Sequence, residues 1–177
     1  RQARILIIVL LIGGLFNLMG IGSSIKIGFY HAAYVLGIFS LICFTLAFLY
    51  KSGLPYTVAV QLFASLSFIQ LFLQAWWGGG LESAATFALF LTPALSILLL
   101  GRKGATFWLI VAILAVVFLY WYEDNYGQLP EMFDVSVRQS YLNQGIIGTM
   151  LCLFVIIFVI DKDKDRAFHD LLANNET

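Results

Sequence analysis

The side chains that could do chemistry in this chain are mostly amides and indoles, and many of them fall in one stretch, residues 70–86 (QLFLQAWWGGGLESAAT). Gln70, Gln74 and Trp77 are spaced i, i+4 and i+7, so a helix places them along one stripe. Three consecutive glycines follow, and then the carboxylate of Glu82. Fixed polar groups of this kind between apolar walls bind a small ligand and orient it. The stretch therefore indicates recognition.

Catalytic and metal chemistry find no support in the sequence. No Asp, Glu, Lys or Arg lies near the middle of an apolar run, His31 is the only histidine inside one, and His169 in the C-terminal segment has no neighbouring cluster. Cys43 and Cys152 lie in apolar runs, where they are most simply small buried hydrophobes. Phosphate loops, nucleophile elbows and metal-spaced Cys/His sets are missing. We therefore predict no catalytic residue, no metal and no cofactor in these residues.

The composition indicates a membrane protein. The chain is 61% hydrophobic and 11% charged, with a mean hydropathy of +0.92, whereas soluble domains are about half apolar and a quarter charged. A bilayer core needs roughly 20 helical residues per crossing. The sequence predicts an all-α bundle of six such spans, at about 5–21, 29–50, 55–77, 81–100, 105–122 and 140–160.

The connections between these runs carry turn and cap signals. We expect Ser23 and Ser24 to form a turn before the second span, Pro55 to begin the third, and Pro93 to kink the fourth. Gly79, Gly80 and Pro93 are hinge candidates, although a tight glycine turn and a static kink are the simpler interpretations. Residues 161–177 are predicted to continue the sixth helix into the cytoplasm as the start of a coiled-coil connector, with a solvated tail as the alternative.

Lysine and arginine predict the orientation, because they accumulate on the cytoplasmic side of membrane proteins. With the N-terminus inside, eight lie inside and only Lys26 and Arg138 lie outside. Both ends are therefore expected in the cytoplasm. Because the net charge is zero, no nucleic-acid partner is expected. The chain begins at Arg1, which suggests a fragment or a processed protein.

Most strong polar groups of the spans then fall in the outer half, where they predict a cup for a small amphiphilic ligand. The binding candidates are Asn17, His31, Gln70, Gln74, Trp77, Glu82, Thr86, Tyr120, Asn143 and Gln144. Each has a plainer role: amides hydrogen-bond between helices, and an acid in a first helical turn favours the helix dipole. Glu82 could instead form a latch with His31, and the acidic loop 123–139 could be a lid or merely a solvated loop.

One region resembles a known family. Residues 78–108 (GGGLESAATFALFLTPALSILLLGRKGATFW) are similar to the six-span N-terminal sensor modules of bacterial signalling proteins. These include sensor histidine kinases, among them quorum-sensing kinases, and membrane-anchored class III nucleotide cyclases and diguanylate cyclases. The matching positions are Gly79, Gly80, Glu82, Ser83, Pro93, Gly101, Arg102 and Trp108.

The resemblance implies a non-catalytic sensor domain in the bacterial inner membrane, homodimeric through its helices and connector. A ligand or a change of membrane state in the outer half would act through the sixth helix on a kinase or cyclase domain beyond Thr177. Two alternatives remain open. The first is a ligand-free anchor and dimerisation module, for which Ala33 with Gly37 and Ala84 with Ala88 are candidate packing pairs. The second is half of a small transporter, which the missing midplane charge disfavours.

Overall fold

The described part of the chain is built from helices. The structure, a computed structural model, describes the backbone of residues 2–132, 136 and 138–175, and the side chains in those ranges except at 2, 140, 144 and 159–175. The elements are α1 (Gln2–Lys26), α2 (Tyr30–Lys51), α3 (Tyr56–Trp77), a 3₁₀ turn (Gly80–Glu82), α4 (Ala84–Ala88), α5 (Leu91–Tyr126) and α6 (Arg138–Asn175). An isolated bridge between Gly78 and Glu131 is the only β pairing among these residues. The all-α class is confirmed.

Five helical segments are long and apolar enough to cross a bilayer. They are Ala3–Lys26, Tyr30–Lys51, Tyr56–Trp77, Ala84–Tyr126 and Tyr141–Phe158. Their outward faces carry large apolar side chains, including Met19 (76% exposed) and Phe48 (69% exposed). An exterior of this kind is unfavourable in water and favourable in lipid. The predicted membrane protein is confirmed at this level.

The fourth of these segments covers 43 residues and doubles back on itself. As a straight helix it would be about 65 Å long, roughly twice the hydrocarbon core. Gly101, however, has φ 72° and ψ −168°, which interrupts the helix there. Just before this break, the Leu99 carbonyl accepts a hydrogen bond from Tyr56 Oη (2.8 Å), at the start of α3. The Leu81 N–H, near the other end of α3, donates to Glu123 Oε1 (2.9 Å). The segment therefore runs back along α3 from residue 84 to the break at Gly101, and then forward along α3 again to Glu123.

The turn predicted at Ser23 and Ser24 is wrong, because α1 continues through both serines to Lys26. The helix ends in a Schellman motif, in which Phe29 N–H bonds the Ser24 carbonyl and Gly28 N–H bonds the Ile25 carbonyl. This motif needs a residue at positive φ, and Gly28 supplies it with φ 75°. The glycine therefore decides where the helix stops.

The kink predicted at Pro93 lies instead upstream of the proline. Helix α4 ends at Ala88 and α5 begins at Leu91, so Pro93 occupies the first turn of a new helix. Pro93 has no N–H to offer the Leu89 carbonyl, and this carbonyl accepts from Thr92 N–H (3.3 Å). The predicted fourth span, 81–100, is consequently a 3₁₀ turn and two helices.

The described helices pack through small residues and three apolar clusters, of which the largest joins four helical segments. Leu6, Phe39, Cys43, Val60 and Leu99 bring α1, α2, α3 and the first half of α5 together. The predicted packing pairs are used within the chain. Ala33 is buried, a Cβ on Gly37 would touch Ile21, and Ala84 packs directly against Gly145 of α6.

Helix α6 is the longest element, from Arg138 to Asn175. At 1.5 Å per residue it is about 57 Å long, which is well beyond the roughly 30 Å hydrocarbon core. Its apolar part, Tyr141–Phe158, is followed by the charged segment without an interruption of the helical backbone. The side chains of the predicted coiled-coil connector, residues 161–177, lie outside the described set.

Candidate functional site

A buried pair of amides joins α1 to α3. Gln70 Nε2 donates to Asn17 Oδ1 (2.7 Å), and Asn17 Nδ2 donates to the Gly13 carbonyl of its own helix (2.6 Å). Both side chains are buried, at 8% and 7% exposure. Ser40 supports the same region from α2, because its hydroxyl donates to the Gly14 carbonyl (2.9 Å). The sequence predicted both amides as site residues, and the structure brings them together as the amide pair.

An apolar groove lies beside this pair, between α2 and α3. Its volume is about 150 Å³, and Gln70 is its only polar lining residue. The other lining residues are Val35, Ile38, Phe39, Ile42, Leu66, Ile69 and Leu73. A space of this size holds a benzene-sized group, whereas pockets for whole drug-sized ligands measure about 300–1,000 Å³. The α2–α3 groove can therefore take one segment of an apolar chain.

Gln74 lies one helical turn from Gln70 on the predicted stripe of α3. Its Nε2 is buried and has no hydrogen-bond partner among the described residues. A buried donor without an acceptor is unfavourable in an apolar medium. Gln74 is therefore the amide of the stripe that has a donor free for a ligand oxygen.

Charged side chains surround the glycine turn, residues Gly78, Gly79 and Gly80. Arg138, the first residue of α6, pairs with Glu82 and with Glu131, the latter through Nε at 2.8 Å. Glu123 bonds the Leu81 N–H from the end of α5. We call Glu82, Glu131 and Arg138 the ionic network. Together with the Glu123–Leu81 hydrogen bond, it ties the ends of α5 and α6 to the turn that follows α3.

Part of the acidic loop contacts this turn, while its use as a lid over a ligand stays a prediction. Met132 N–H donates to the Trp77 carbonyl (3.0 Å), and Leu129 is buried against Ala75, Ala85 and Leu119. This segment therefore contacts the glycine turn at Leu129, Glu131 and the Met132 backbone, whereas Gly127, Gln128 and Pro130 are exposed, as the solvated-loop interpretation predicts. Asp134, also assigned to the lid, lies outside the described residues.

The other predicted site residues do not converge on the amide pair. The exposed His31 packs its ring against Trp77, with centroids 5.4 Å apart, and Glu82 pairs with Arg138, so the predicted His31–Glu82 latch is not formed. Thr86 is buried and donates to the Gly80 carbonyl (2.6 Å). Tyr120 is 63% exposed, the exposed Asn143 accepts a bond from Gln139, and the Gln144 side chain lies outside the described set.

Sequence reasoning missed two features of the site. Arg138 stands 56 residues from Glu82, and only its position as the one arginine of the predicted outer loop could have marked it as a partner. An aromatic stripe also runs between α3 and α5, where Phe72 and Trp76 contact Phe118 and Tyr122. The i, i+4, i+8 spacing of Phe68, Phe72 and Trp76 was the available signal.

Fold and site together define an all-helical membrane protein with a buried interhelical amide pair and an ionic network at one end. Comparison with models of protein families, with curated proteins and with solved structures finds no match to the chain.

Proposed function

We propose that the chain is a membrane sensor domain of a bacterial signalling protein. Six spans would place both ends in the cytoplasm and the glycine turn at the outer face of the inner membrane. The observation that carries the proposal is the continuous α6. It begins at Arg138 in the ionic network and extends as helix to Asn175, beyond the apolar segment. Such a helix can carry a displacement at the turn to the opposite side of the membrane.

The proposed ligand is a small amphiphile with an apolar tail and a hydrogen-bond acceptor in its head. The tail would occupy the α2–α3 groove, whose size suits part of an alkyl chain. The head would accept a hydrogen bond from Gln74 Nε2, the free donor one turn beyond Gln70. Binding can shift α6 only if the ligand prefers one helix packing over another.

The output would come from a kinase or cyclase domain beyond Thr177, as the family resemblance implies, and a histidine kinase is the first choice. A homodimer through the connector would allow α6 to control that domain. The anchor alternative is less well supported, because its candidate packing residues Ala33 and Ala84 are buried inside the chain and offer no surface to a second copy.

Gln74→Leu is the sharpest test, since this substitution removes the free donor and breaks no hydrogen bond within the described residues. Membranes containing the intact gene product would be titrated with a lipid extract of the source cells while kinase or cyclase output is measured. Losing one hydrogen bond of about 1.4 kcal/mol weakens ligand affinity tenfold, so about ten times more extract should be needed for the half-maximal output. Gln61→Leu is the matched control, because Gln61 is an exposed amide on the same helix.

The two alternatives predict different outcomes. If the lipid extract changes the output of the Gln74→Leu and Gln61→Leu proteins at the same concentration, the result would favour the anchor module. Solute flux through reconstituted protein that Gln74→Leu abolishes would favour the transporter and contradict the sensor.

The six-span topology is tested separately by cysteine labelling. After Cys43 and Cys152 are replaced, Lys103→Cys at the Gly101 break should react with an impermeant maleimide only from the cytoplasmic side. Asp124→Cys, beside Glu123, should react only from the outside. Labelling of both positions from the same side would contradict two crossings within residues 84–126.

A further inference from the structure

A small cavity lies between α3 and the first half of α5. Its volume is about 10 Å³, which is close to the space that one water-sized sphere occupies. The lining residues are Val60, Phe63, Ala64, Ser67, Thr92, Leu95, Ser96 and Leu99. Ser67 stands near the middle of α3, so the cavity lies near mid-depth of the bundle.

Three hydroxyl groups line this cavity, and two of them lack a protein partner. Thr92 and Ser96 are spaced i, i+4 on α5, and each is 2% exposed. Thr92 Oγ1 and Ser96 Oγ form no hydrogen bond to any described residue. Ser67 Oγ already donates to the Phe63 carbonyl (2.7 Å), and its oxygen can still accept.

Buried hydroxyl groups are rarely left without a partner, because water satisfied them before folding. The remaining lining side chains are all apolar and offer no hydrogen-bonding group. A single water in this position can accept from Thr92 and Ser96 and donate to Ser67. These are about three hydrogen bonds, the usual number for a buried water.

We propose that this hydroxyl pocket is a binding site for one structural water molecule, which bridges α5 to α3. A metal cation is disfavoured, because no carboxylate lines the cavity and burying a charge without a counter-charge is costly. The bridge lies directly beside the break between α4 and α5. It therefore holds the first turns of α5, including Pro93, against the middle of α3.

A double-mutant cycle tests the bridge in the purified chain. Thr92→Val and Ser96→Ala each remove one partner of the water, and each should lower the midpoint of thermal unfolding by about 2–4 °C. Because both hydroxyls bind the same water, the double variant should lose less than the sum of the two shifts. Thr45→Val is the matched control, since the exposed Thr45 bonds its own helix at Leu41 and should show no coupling to Ser96→Ala.

Two outcomes of the cycle would overturn the proposal: single variants that are neutral or stabilising, or shifts that add without coupling. A high-resolution structure should show a density peak about 3 Å from both hydroxyl oxygens, and an empty cavity would also overturn it. A sodium-dependent rise in the unfolding midpoint that Thr92→Val abolishes would identify a cation site instead. These readouts are independent of the signalling output, so they can fail while the proposed sensor function stands.

Discussion

The Glu123 side chain lies against Gly80 at the glycine turn. It also bonds the next residue, Leu81, from which it is 42 residues away in the chain. The Glu123 carboxylate accepts the Leu81 N–H at 2.9 Å and lies where a Cβ on Gly80 would stand. Gly80 also has φ 62°. The turn thus depends on glycine for two separate reasons, backbone conformation and the approach of the carboxylate.

Gly80→Ala should therefore destabilise the protein more than an ordinary positive-φ substitution. Backbone strain alone costs about 1–3 kcal/mol, and displacement of Glu123 adds to it. Gly28→Ala is the control, because Gly28 has φ 75° and open space around its Cβ position. We expect a larger drop in the thermal midpoint for Gly80→Ala, and Glu123→Ala in the same chain should recover part of the difference. Equal drops for both glycines would show that the carboxylate contact contributes nothing.

The contact between α4 and α6 permits a second comparison of two glycines. A Cβ on Gly145 would overlap the Ala84 methyl group, whereas a Cβ on Gly148 would lie 4.0 Å from the Phe16 ring. Gly145→Ala should destabilise by about 1–3 kcal/mol through overpacking. Gly148→Ala should be neutral or stabilising by up to about 1 kcal/mol, since alanine favours the helix. Thermal unfolding of both variants in one detergent measures the difference, and a neutral Gly145→Ala would contradict the close α4–α6 contact.

The amide pair should show coupling between Asn17 and Gln70. Gln70→Leu or Asn17→Leu leaves the other amide buried without its partner, and each should cost about 1–3 kcal/mol. The double variant removes both groups, so it should cost less than the sum of the single changes. Comparison of the four unfolding free energies gives the coupling, for which membrane proteins average about 0.6 kcal/mol. Additive costs would mean that the 2.7 Å hydrogen bond does not contribute.

Arg138 should stabilise the glycine-turn end only modestly. Its side chain is 36% exposed and that of Glu82 is 55% exposed, and exposed ion pairs contribute about 0–1 kcal/mol each. Arg138→Glu should lower the thermal midpoint by several degrees, because it replaces two attractions by repulsions, and the effect should shrink at high salt. Arg102→Glu at the exposed Gly101 break serves as the control. Rescue by Glu82→Arg in the Arg138→Glu chain would identify the pair, and a failure to rescue would leave Glu131 as the main partner.

Some of the fold was predictable because it depends on local composition and spacing. Runs of apolar residues determine that α1, α2 and α3 are membrane-length helices, and the three glycines determine a turn after Trp77. The sequence gives the position of Pro93 but not its effect on the helix. Whether a chain bends at a proline or starts a new helix there depends on the partners of the preceding carbonyls, and these lie partly outside the local sequence. The prediction of a turn at Ser23 and Ser24 was also wrong, because α1 continues past both serines and ends at the Schellman motif around Gly28.

By itself, the sequence determined the class of protein and the stripe that carries Gln70 and Gln74, since hydrophobicity and helical periodicity are properties of neighbouring residues. Only the tertiary structure decided how that stripe is used. Gln70 bonds Asn17 across 53 residues, Gln74 Nε2 has no partner among the described residues, and Glu82 pairs with Arg138 rather than with His31. Identical spacing along one helix gives no information about the helix that packs against it. The partners of a buried polar group are set by how distant segments pack, because each group must find its hydrogen bonds where the fold places it.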